Sequence, residues 1–278
     1  VDPSVNIDRA GRENGIRRLM CINLLKRLES SVHSFRITLE RVRALIDGTI
    51  NDIDNFAGGN SKIINTQELS DTEFDVDDTN TSFFENTGKK LDIDLTDMDY
   101  VSWREKLQED SETLELLTLI IRDITPEHDS KLQKLLEIIS DKIQHPFNAN
   151  NKKVLIFSAF SDTVDYLYDE VAPFVKERFG VDTAMITGTT SGKTTVKLQR
   201  TDMNTILTLF SPISKDKALL MPNNPAEIDI LIATDCISEG QNLQDSDFCV
   251  NYDIHWNPVR IIQRFGRVDR IGSRNEKI

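Results

Sequence analysis

Apolar side chains at Leu25, Leu28, Val32, Phe35, Leu39, Val42 and Ile46 step alternately by three and four residues. That is the heptad stripe of a long helix packed lengthwise against another. A second stripe, Trp103, Leu107, Leu114, Leu117, Ile121 and Ile124, keeps the stepping with Asp110 as its polar interruption, and Pro126 closes it. Each stripe covers about 22 residues, roughly 33 Å of helix. The pair therefore predicts an antiparallel hairpin of equal arms with Phe35 beside Leu114 or Leu117; two unrelated amphipathic helices on a bundle are the alternative. Between the stripes lie Gly58, Gly59 and Asn60 and the polar run DTEFDVDDTNTSFFENTG, which predicts a mobile tip or loosely ordered acidic insertion near 58–100.

After Pro126 the pattern becomes short apolar strands alternating with helices, the signature of a parallel sheet covered on both faces. Strands are expected at Val154 to Phe157, Thr183 to Thr187, Ile228 to Thr234 and Phe248 to Tyr252. Helical patterns run over Ser161 to Phe179, Thr194 to Phe210 and Pro258 to Val268, and Asp129 to Ile143 puts Leu132, Leu135, Leu136 and Ile139 on one face at the sheet's start. The expected organisation is a helical region over 1–126 and an α/β domain over 127–278.

Composition narrows the classes without naming one. With 278 residues, 38% hydrophobic and 28% charged, the chain has room for one large globular domain or two modest ones. No apolar run approaches the roughly 18 residues of a membrane span, and no basic-then-apolar leader opens the sequence, so a soluble, cytoplasmic protein is expected. The chain opens on Val1 and stops directly after its most informative motif, which reads as an excerpt of something longer. Cys21, Cys236 and Cys249 are scattered, and His33, His128, His145 and His255 lack metal-ligand spacing, so no metal site and no disulfide framework is expected. A net charge of −13 looks unfavourable for a polyanion partner until it is localised. Between Ser61 and Asp99 eleven acidic side chains face three lysines, whereas from Arg9 to Arg43 nine basic side chains face three glutamates. A basic segment and an acidic one average out, and a nucleic-acid partner stays open.

The most specific string is QRFGRVDRIG, Gln263 to Gly272. On one helix Arg264, Arg267 and Arg270, three residues apart, would share a face and project planar guanidinium groups toward one polyphosphate. Upstream, ATDCISEGQNLQ ends an apolar strand in Thr234 and Asp235 and runs into a glycine-containing turn, the place where doubly wound sheets bind ligands. Two other features are set aside. GTTSGKTT, Gly188 to Thr195, imitates a phosphate-cradling loop, but three residues separate its glycines where the cradle needs four, and no DExH or DExD string follows a strand. Asp162 and Asp165 open a helix and suit capping better than a catalytic carboxylate pair.

In order and spacing, KVLIFSAF, MITG, DILIATDCISEGQNL, YDIHWNP and QRFGRVDRIG resemble motifs four to six of superfamily-two helicases. EGQNL and HWNP look like the SWI/SNF-type translocases, and GRVDRIGS looks closest to the bacterial branch typified by the RNA-polymerase-associated ATPase. The likeness covers roughly Asp129 to Ile278, and NLLKRLESS, Asn23 to Ser31, resembles the helical linker preceding this lobe in the same branch. Ser273 stands where relatives commonly have glutamine, and Asp269 where eukaryotic relatives often have histidine. The resemblance implies the second RecA-like lobe of a nucleic-acid-dependent ATPase. ATP and Mg²⁺ would be held mainly by a first lobe of the same polypeptide, and this chain alone would be inactive. Arg267 and Arg270 would be arginine fingers on the β- and γ-phosphates, with Gln263 helping to place them. Gly240, Gln241 and Asn242 would couple nucleotide to polymer, while Thr234, Ser158, the Gly188 loop and Lys193 would hold strand phosphates, those of DNA by the SWI/SNF likeness. The helical hairpin would be a lever or a protein-docking element. An RNA helicase or restriction-type translocase, or a non-catalytic scaffold, are the rival readings.

Overall fold

The computed structural model describes residues 9–57, 63–65, 92–188, 192–237, 241–255 and 257–278, and it divides into two compact units, Val1–Asp123 and Ile124–Ile278. Most of the acidic insertion expected near 58–100, the centre of the Gly188 to Thr195 loop, Gly240 and Trp256 lie outside the described residues.

The first unit is helical: α1 (Arg9–Ser30), α2 (Val32–Ala57) and α3 (Tyr100–Arg122), with a short antiparallel pair, β1 (Ile63–Asn65) and β2 (Asp92–Asp94). The first stripe is divided between two helices, because Ser31 interrupts it and its hydroxyl accepts the Ser34 N–H at 3.1 Å, a cap for the second. Leu25 and Leu28, ahead of that break, are 64% and 40% exposed. Helices α2 and α3 do pair antiparallel, but in a different register from the predicted one. Arg43 reaches Glu115 at 3.0 Å, the Ser111 hydroxyl donates to Asp47 at 2.6 Å, Arg104 clasps Asp54 at 2.7 and 3.1 Å, and Phe56 meets Tyr100 edge-on. This register carries Phe35 roughly two helical turns past Leu114. Heptad spacing defines a face, not an axial offset. The offset follows from Ile53 and Leu95, both 1% exposed, with Phe56, Tyr100, Trp103 and Leu107 closing around them at the α3 entrance.

The second unit is a mixed α/β layer. Strands β3 (Val154–Phe157), β4 (Thr183–Ile186), β5 (Lys193–Thr194), β6 (Ile230–Ala233) and β7 (Cys249–Asn251) stand in the order β5-β4-β6-β3-β7, parallel except for β5. Helices α4 (Ser130–Gln144), α5 (Ser161–Phe179), α6 (Met203–Phe210), α7 (Lys217–Leu220) and α8 (Pro258–Phe265) complete it. Alternation along the strands divides the core. Val154, Ile156, Met185, Ile230 and Ile232 face α4 and α5, whereas Leu155, Phe157, Ala184, Ile186, Leu231 and Ala233 face α6, Leu243 and Val268. Burial on both faces explains why these strands read as unbroken apolar runs. This is the RecA-like sheet that the sequence motifs imply.

Two predicted helices are shorter than expected. The Thr194 to Phe210 pattern begins as strand, since Lys193 and Thr194 pair with Met185 and Ala184, and the helix starts only at Met203, where the Asp202 side chain accepts the Thr205 N–H. The Pro258 to Val268 pattern stops at Phe265, followed by turn. Asp129 caps α4 through the Lys131 and Leu132 N–H groups and also accepts the Tyr166 hydroxyl at 3.0 Å, joining α4 to α5. Gly180 ends α5 at φ 67, the left-handed conformation glycine adopts without strain. Among the described residues no helix is long and apolar enough to cross a membrane.

Gly192 is required for a different reason, close approach. A Cβ there would stand 2.4 Å from Ile206 Cδ1 and 2.8 Å from the Thr201 carbonyl oxygen. Gly192→Ala should therefore destabilise the α/β unit by about 1–3 kcal/mol through overpacking, read as a lowered urea midpoint with an unchanged slope. A midpoint equal to that of the parent chain would refute the packing assignment.

Candidate functional site

The chemistry-bearing motifs converge at the carboxyl ends of β3, β6 and β7. The organising residue is Arg264, on the last turn of α8 and 0% exposed. Its Nε and Nη2 donate to the two carboxylate oxygens of Asp235 at 2.6 and 2.5 Å; Nη1 donates to Asn251 Oδ1 at 3.1 Å and to the Asp253 carbonyl at 3.3 Å. The guanidinium also lies over the Phe157 ring, 5.3 Å from its centroid. Burial alone would lower the Arg264 pKa, but the hydrogen bonds and charge of Asp235 outweigh it and hold the group above its ordinary value. Arg264 is thus not the third member of a phosphate-facing row, as its spacing suggested. It is a buried staple that ties α8 to the ends of three strands.

The row also fails for a geometric reason. Because α8 stops at Phe265, Arg267 and Arg270 lie beyond the helix, and the three-residue spacing no longer sets a common face. The Arg267 Nη1 donates to the Gln241 carbonyl at 3.4 Å, while its own carbonyl accepts the Leu243 N–H at 3.1 Å. Arg267 and the segment Gln241 to Leu243 therefore form one ledge. Arg270 is exposed. Gln263 precedes both, on α8 next to Arg264, and its Oε1 is buried with no hydrogen-bond partner among the described residues. A buried acceptor in that state is costly and calls for a donor such as a hydroxyl or water. Asn242 Oδ1 accepts the Gln244 N–H at 3.3 Å and shapes the turn.

The residues expected at strand phosphates are dispersed. Thr234 directly follows β6 and is 7% exposed, its N–H donating to the Ile186 carbonyl. Gly188 is exposed, and a Cβ on it would lie 3.7 Å from Cys236 Cβ, so these two turns are neighbours. Ser158 is different: it is 0% exposed and its hydroxyl donates to Asp253 at 2.6 Å, while the Ala159 N–H donates to the same carboxylate at 2.8 Å. In this conformation its oxygen shapes the β3 corner instead of facing outward. Lys193 projects outward but its ammonium rests on Asp165 at 2.5 Å, and that hydrogen bond raises its pKa. Asp165 is therefore the lysine's counter-ion, not the helix cap that its position suggested.

The entry to α8 is built from His255, Asn257 and Pro258. Asn257 caps it by accepting the Val259 N–H at 3.0 Å, Pro258 takes the first position, and the buried His255 ring accepts the Asn257 N–H. Close to the arginines in the chain, five large apolar side chains are left uncovered: Ile254, Val259, Ile262, Phe265 and Ile271 are 80%, 52%, 69%, 46% and 105% exposed. Sequence reasoning missed two further polar residues. Asp245 accepts the N–H groups of Ile213 and Ser214 at 2.7 and 3.0 Å, and Lys215 donates to Gln241 Oε1 at 2.5 Å. Neither belongs to a recognisable string.

Comparison with known proteins gives a consistent family. Residues 130–272, just over half of the chain, match the family described as "Helicase conserved C-terminal domain". A 50-residue stretch is 46% identical to the Bacillus subtilis (strain 168) protein named "Uncharacterized ATP-dependent helicase YqhH", covering 18% of this chain and 9% of that protein. A 144-residue stretch is 25% identical to the Schizosaccharomyces pombe (strain 972 / ATCC 24843) protein named "Putative ATP-dependent DNA helicase fml2", covering 50% and 16% respectively. The chain thus spans a small part of the curated relatives it matches. Among solved structures it is similar to the C-terminal part of the Fun30 ATPase domain (19% identity, 76% of this chain and 55% of that one, TM-score 0.39). It is also similar to the Pyrococcus furiosus Hef helicase domain (21% identity, 59% and 27%, TM-score 0.32).

The staple and the outer arginine should separate in a stability measurement. Arg264→Ala leaves the Asp235 carboxylate buried and uncompensated, so the chain should lose about 3–5 kcal/mol of unfolding free energy. Arg270→Ala should change stability by less than about 0.5 kcal/mol. Equal denaturation midpoints for the two variants would contradict the division of roles.

Proposed function

This chain belongs to the helicase conserved C-terminal domain family, and from that premise we propose that it is the second motor lobe of an ATP-dependent DNA translocase or helicase of SWI/SNF type, in the branch of the bacterial RNA-polymerase-associated ATPase. The observation that carries the reading is the ledge of Arg267 against Gln241 and Leu243 at the carboxyl end of the sheet, with Arg270 exposed three residues further along the chain. Guanidinium groups held at the rim of one lobe suit charge that develops on a phosphoryl group bound by another.

In this reading the first RecA-like lobe of the same polypeptide supplies the phosphate loop, the Mg²⁺ site and the acid that orients the attacking water. The exposed apolar side chains Ile254, Val259, Ile262, Phe265 and Ile271 would face that lobe, and their exposure supports a surface completed by a partner. Arg267 and Arg270 stabilise negative charge in the transition state, an effect of about 10³–10⁵ in rate. Gln263, beside Arg264 on α8, helps to place the two fingers. Gly240, Gln241 and Asn242 link the cleft to the polymer side, where Thr234, Gly188 and Lys193 meet strand phosphates. Ser158 contributes by fixing Asp253 and the β3 corner. SWI/SNF-like EGQNL and HWNP favour duplex DNA as the polymer. The helical unit, with Leu116, Leu119 and Ile120 at 59%, 51% and 62% exposed, suits a lever or a protein-docking arm.

The 278-residue chain alone should hydrolyse ATP at background rate. In the intact polypeptide Arg270→Ala should lower kcat by at least about a hundredfold with little change in polymer affinity, since a finger acts on the transition state. Full polymer-stimulated hydrolysis by Arg270→Ala would sink the finger assignment and favour a non-catalytic scaffold.

The polymer side has its own test. A strand phosphate must compete with Asp165 for Lys193, so Asp165→Asn should tighten DNA binding, whereas Lys193→Ala should weaken it and reduce the salt slope by about one. Unchanged affinity in both variants would remove Lys193 from the polymer contact.

A further inference from the structure

The segment between α6 and α7 lies outside every recognisable motif, yet it grips the ledge at the candidate site. Pro212 halts α6, and the chain turns back so that the Lys215 N–H donates to the Ser211 carbonyl at 3.0 Å and the Lys217 N–H to the Pro212 carbonyl at 2.9 Å. Asp245 locks this turn, because its carboxylate accepts the Ile213 and Ser214 N–H groups and the Ser214 hydroxyl. Lys217 anchors the far end: it is 8% exposed and its ammonium donates to the Ala226 carbonyl at 2.5 Å. With the backbone fixed on both sides, Lys215 has only its own side chain to order, and its Nζ reaches Gln241 Oε1 at 2.5 Å.

Gln241 is therefore held from two directions by two cations. Lys215 binds its side-chain oxygen and Arg267 binds its backbone oxygen. The first contact has a directional consequence. An amide whose oxygen is taken by an ammonium must turn its NH₂ group the other way, as a pair of donors. The second contact sets where the Arg267 guanidinium rests. Burial lowers the pKa of Lys215, so its charge is kept against a desolvation cost while the partner it reaches is a neutral amide oxygen.

We infer that Lys215 is a positioning residue of the nucleotide cleft, fixing the orientation of the Gln241 amide and, through the Gln241 backbone, the resting place of Arg267. This rests on the arginine-finger reading above. Lys215 acts through Gln241 rather than on the reacting atoms, and its effect belongs in kcat, where a correctly held Arg267 counts, more than in polymer affinity.

The test uses the intact polypeptide with its partner lobe and compares Lys215→Met, Lys215→Arg and Arg267→Ala in steady-state ATP hydrolysis at saturating DNA. Lys215→Met should lose about tenfold in kcat, the scale of one charge-assisted hydrogen bond. The KM for ATP and the Kd for DNA should move by less than about threefold, and Lys215→Arg should recover most of the loss because it restores a cationic donor. Arg267→Ala separates the two levels of the argument. If it destroys hydrolysis while Lys215→Met does not, the inference about Lys215 is overturned and the finger reading stands. If Arg267→Ala itself keeps full activity, the finger reading falls and this inference with it. A Lys215→Met variant that weakens DNA binding and flattens its salt dependence at unchanged kcat would make Lys215 a strand contact and overturn the positioning role. A loss that Lys215→Arg does not rescue would reduce Lys215 to packing and overturn it as well.

Discussion

One buried guanidinium governs the geometry of this lobe's working edge. Arg264 lies in the last turn of α8 and uses its planar fork on Asp235, Asn251 and the Asp253 carbonyl, with the Phe157 ring beneath it. These contacts span three parallel strands: Phe157 ends β3, Asp235 follows β6, and Asn251 and Asp253 belong to the end of β7 and the turn after it. Without that staple, α8 would be a short helix whose apolar side is largely exposed, followed by Val268 as a buried anchor beyond its end. A lysine could not replace it, because a single ammonium cannot satisfy a carboxylate in bidentate fashion while also bonding two further oxygens. The desolvation cost of burying the pair is offset only when all of these bonds are present, so the corner forms as a unit.

From that corner the remaining site follows by short hydrogen-bonded links. The chain leaves α8 at Gly266, Arg267 pairs with Gln241 and Leu243, and Ser273 and Asn275 bind the Gln244 carbonyl. Gln241 to Asp247 is thus a hub. On one side it meets the arginine segment, on another the Ile213 to Lys215 turn through Asp245, and on a third the asparagine loop, where Asn148 donates to Asp247 at 2.7 Å and Asn151 to the Asp245 carbonyl at 2.9 Å. Asp247 is also paired with Lys142 at 2.7 Å, both side chains being almost fully buried. The segment has little freedom of its own. A displacement at Arg267 must be transmitted to Asp245 and the asparagine loop or break hydrogen bonds, the mechanical coupling that the proposed motor role would require.

How far this was legible in the sequence depends on the range of the interaction concerned. Strands buried on both faces announce themselves as apolar runs, and Val154–Phe157 and Ser161–Phe179 have the predicted bounds because Pro, Gly and periodicity are local signals. Thr194 was misassigned to a helix, and its pairing beside Lys193 was missed, because a two-residue edge strand is defined by its partner, β4, and not by its own composition. The heptad stripes gave the pairing of α2 with α3 but not its register, which was set by Ile53, Leu95 and the Arg104 to Asp54 pair far along the chain. At the site, three arginines at equal spacing looked equivalent. Their division into staple, ledge and exposed rim depends on Asp235, 29 residues upstream of Arg264, and on the helix ending one residue before Gly266. Lys215 and Asp245 carried no signal at all, because their roles exist only once the 211–217 turn meets the hub.

The contrast between Arg264 and Arg270 gives the proposed motor its logic. A residue saturated by its own lobe can organise but cannot respond, since its bonds are the same whatever occupies the cleft. A residue left at the rim contributes little to its own fold and is free to interact when an anion arrives. The apolar set of Ile254, Val259, Ile262, Phe265 and Ile271 belongs to the same economy of structure: these side chains are exposed in the lobe described here, and covering them would add a favourable apolar term to closure of roughly 25 cal/mol per Å² buried. Closure driven by that surface alone would be permanent. Reopening requires that part of the attraction disappear during the cycle, and the charge between Arg270 and a phosphoryl group is the part that hydrolysis and release remove. The apolar side chains would then supply a constant attraction and the arginines a switched one, so that the lobes close with nucleotide and separate after it leaves.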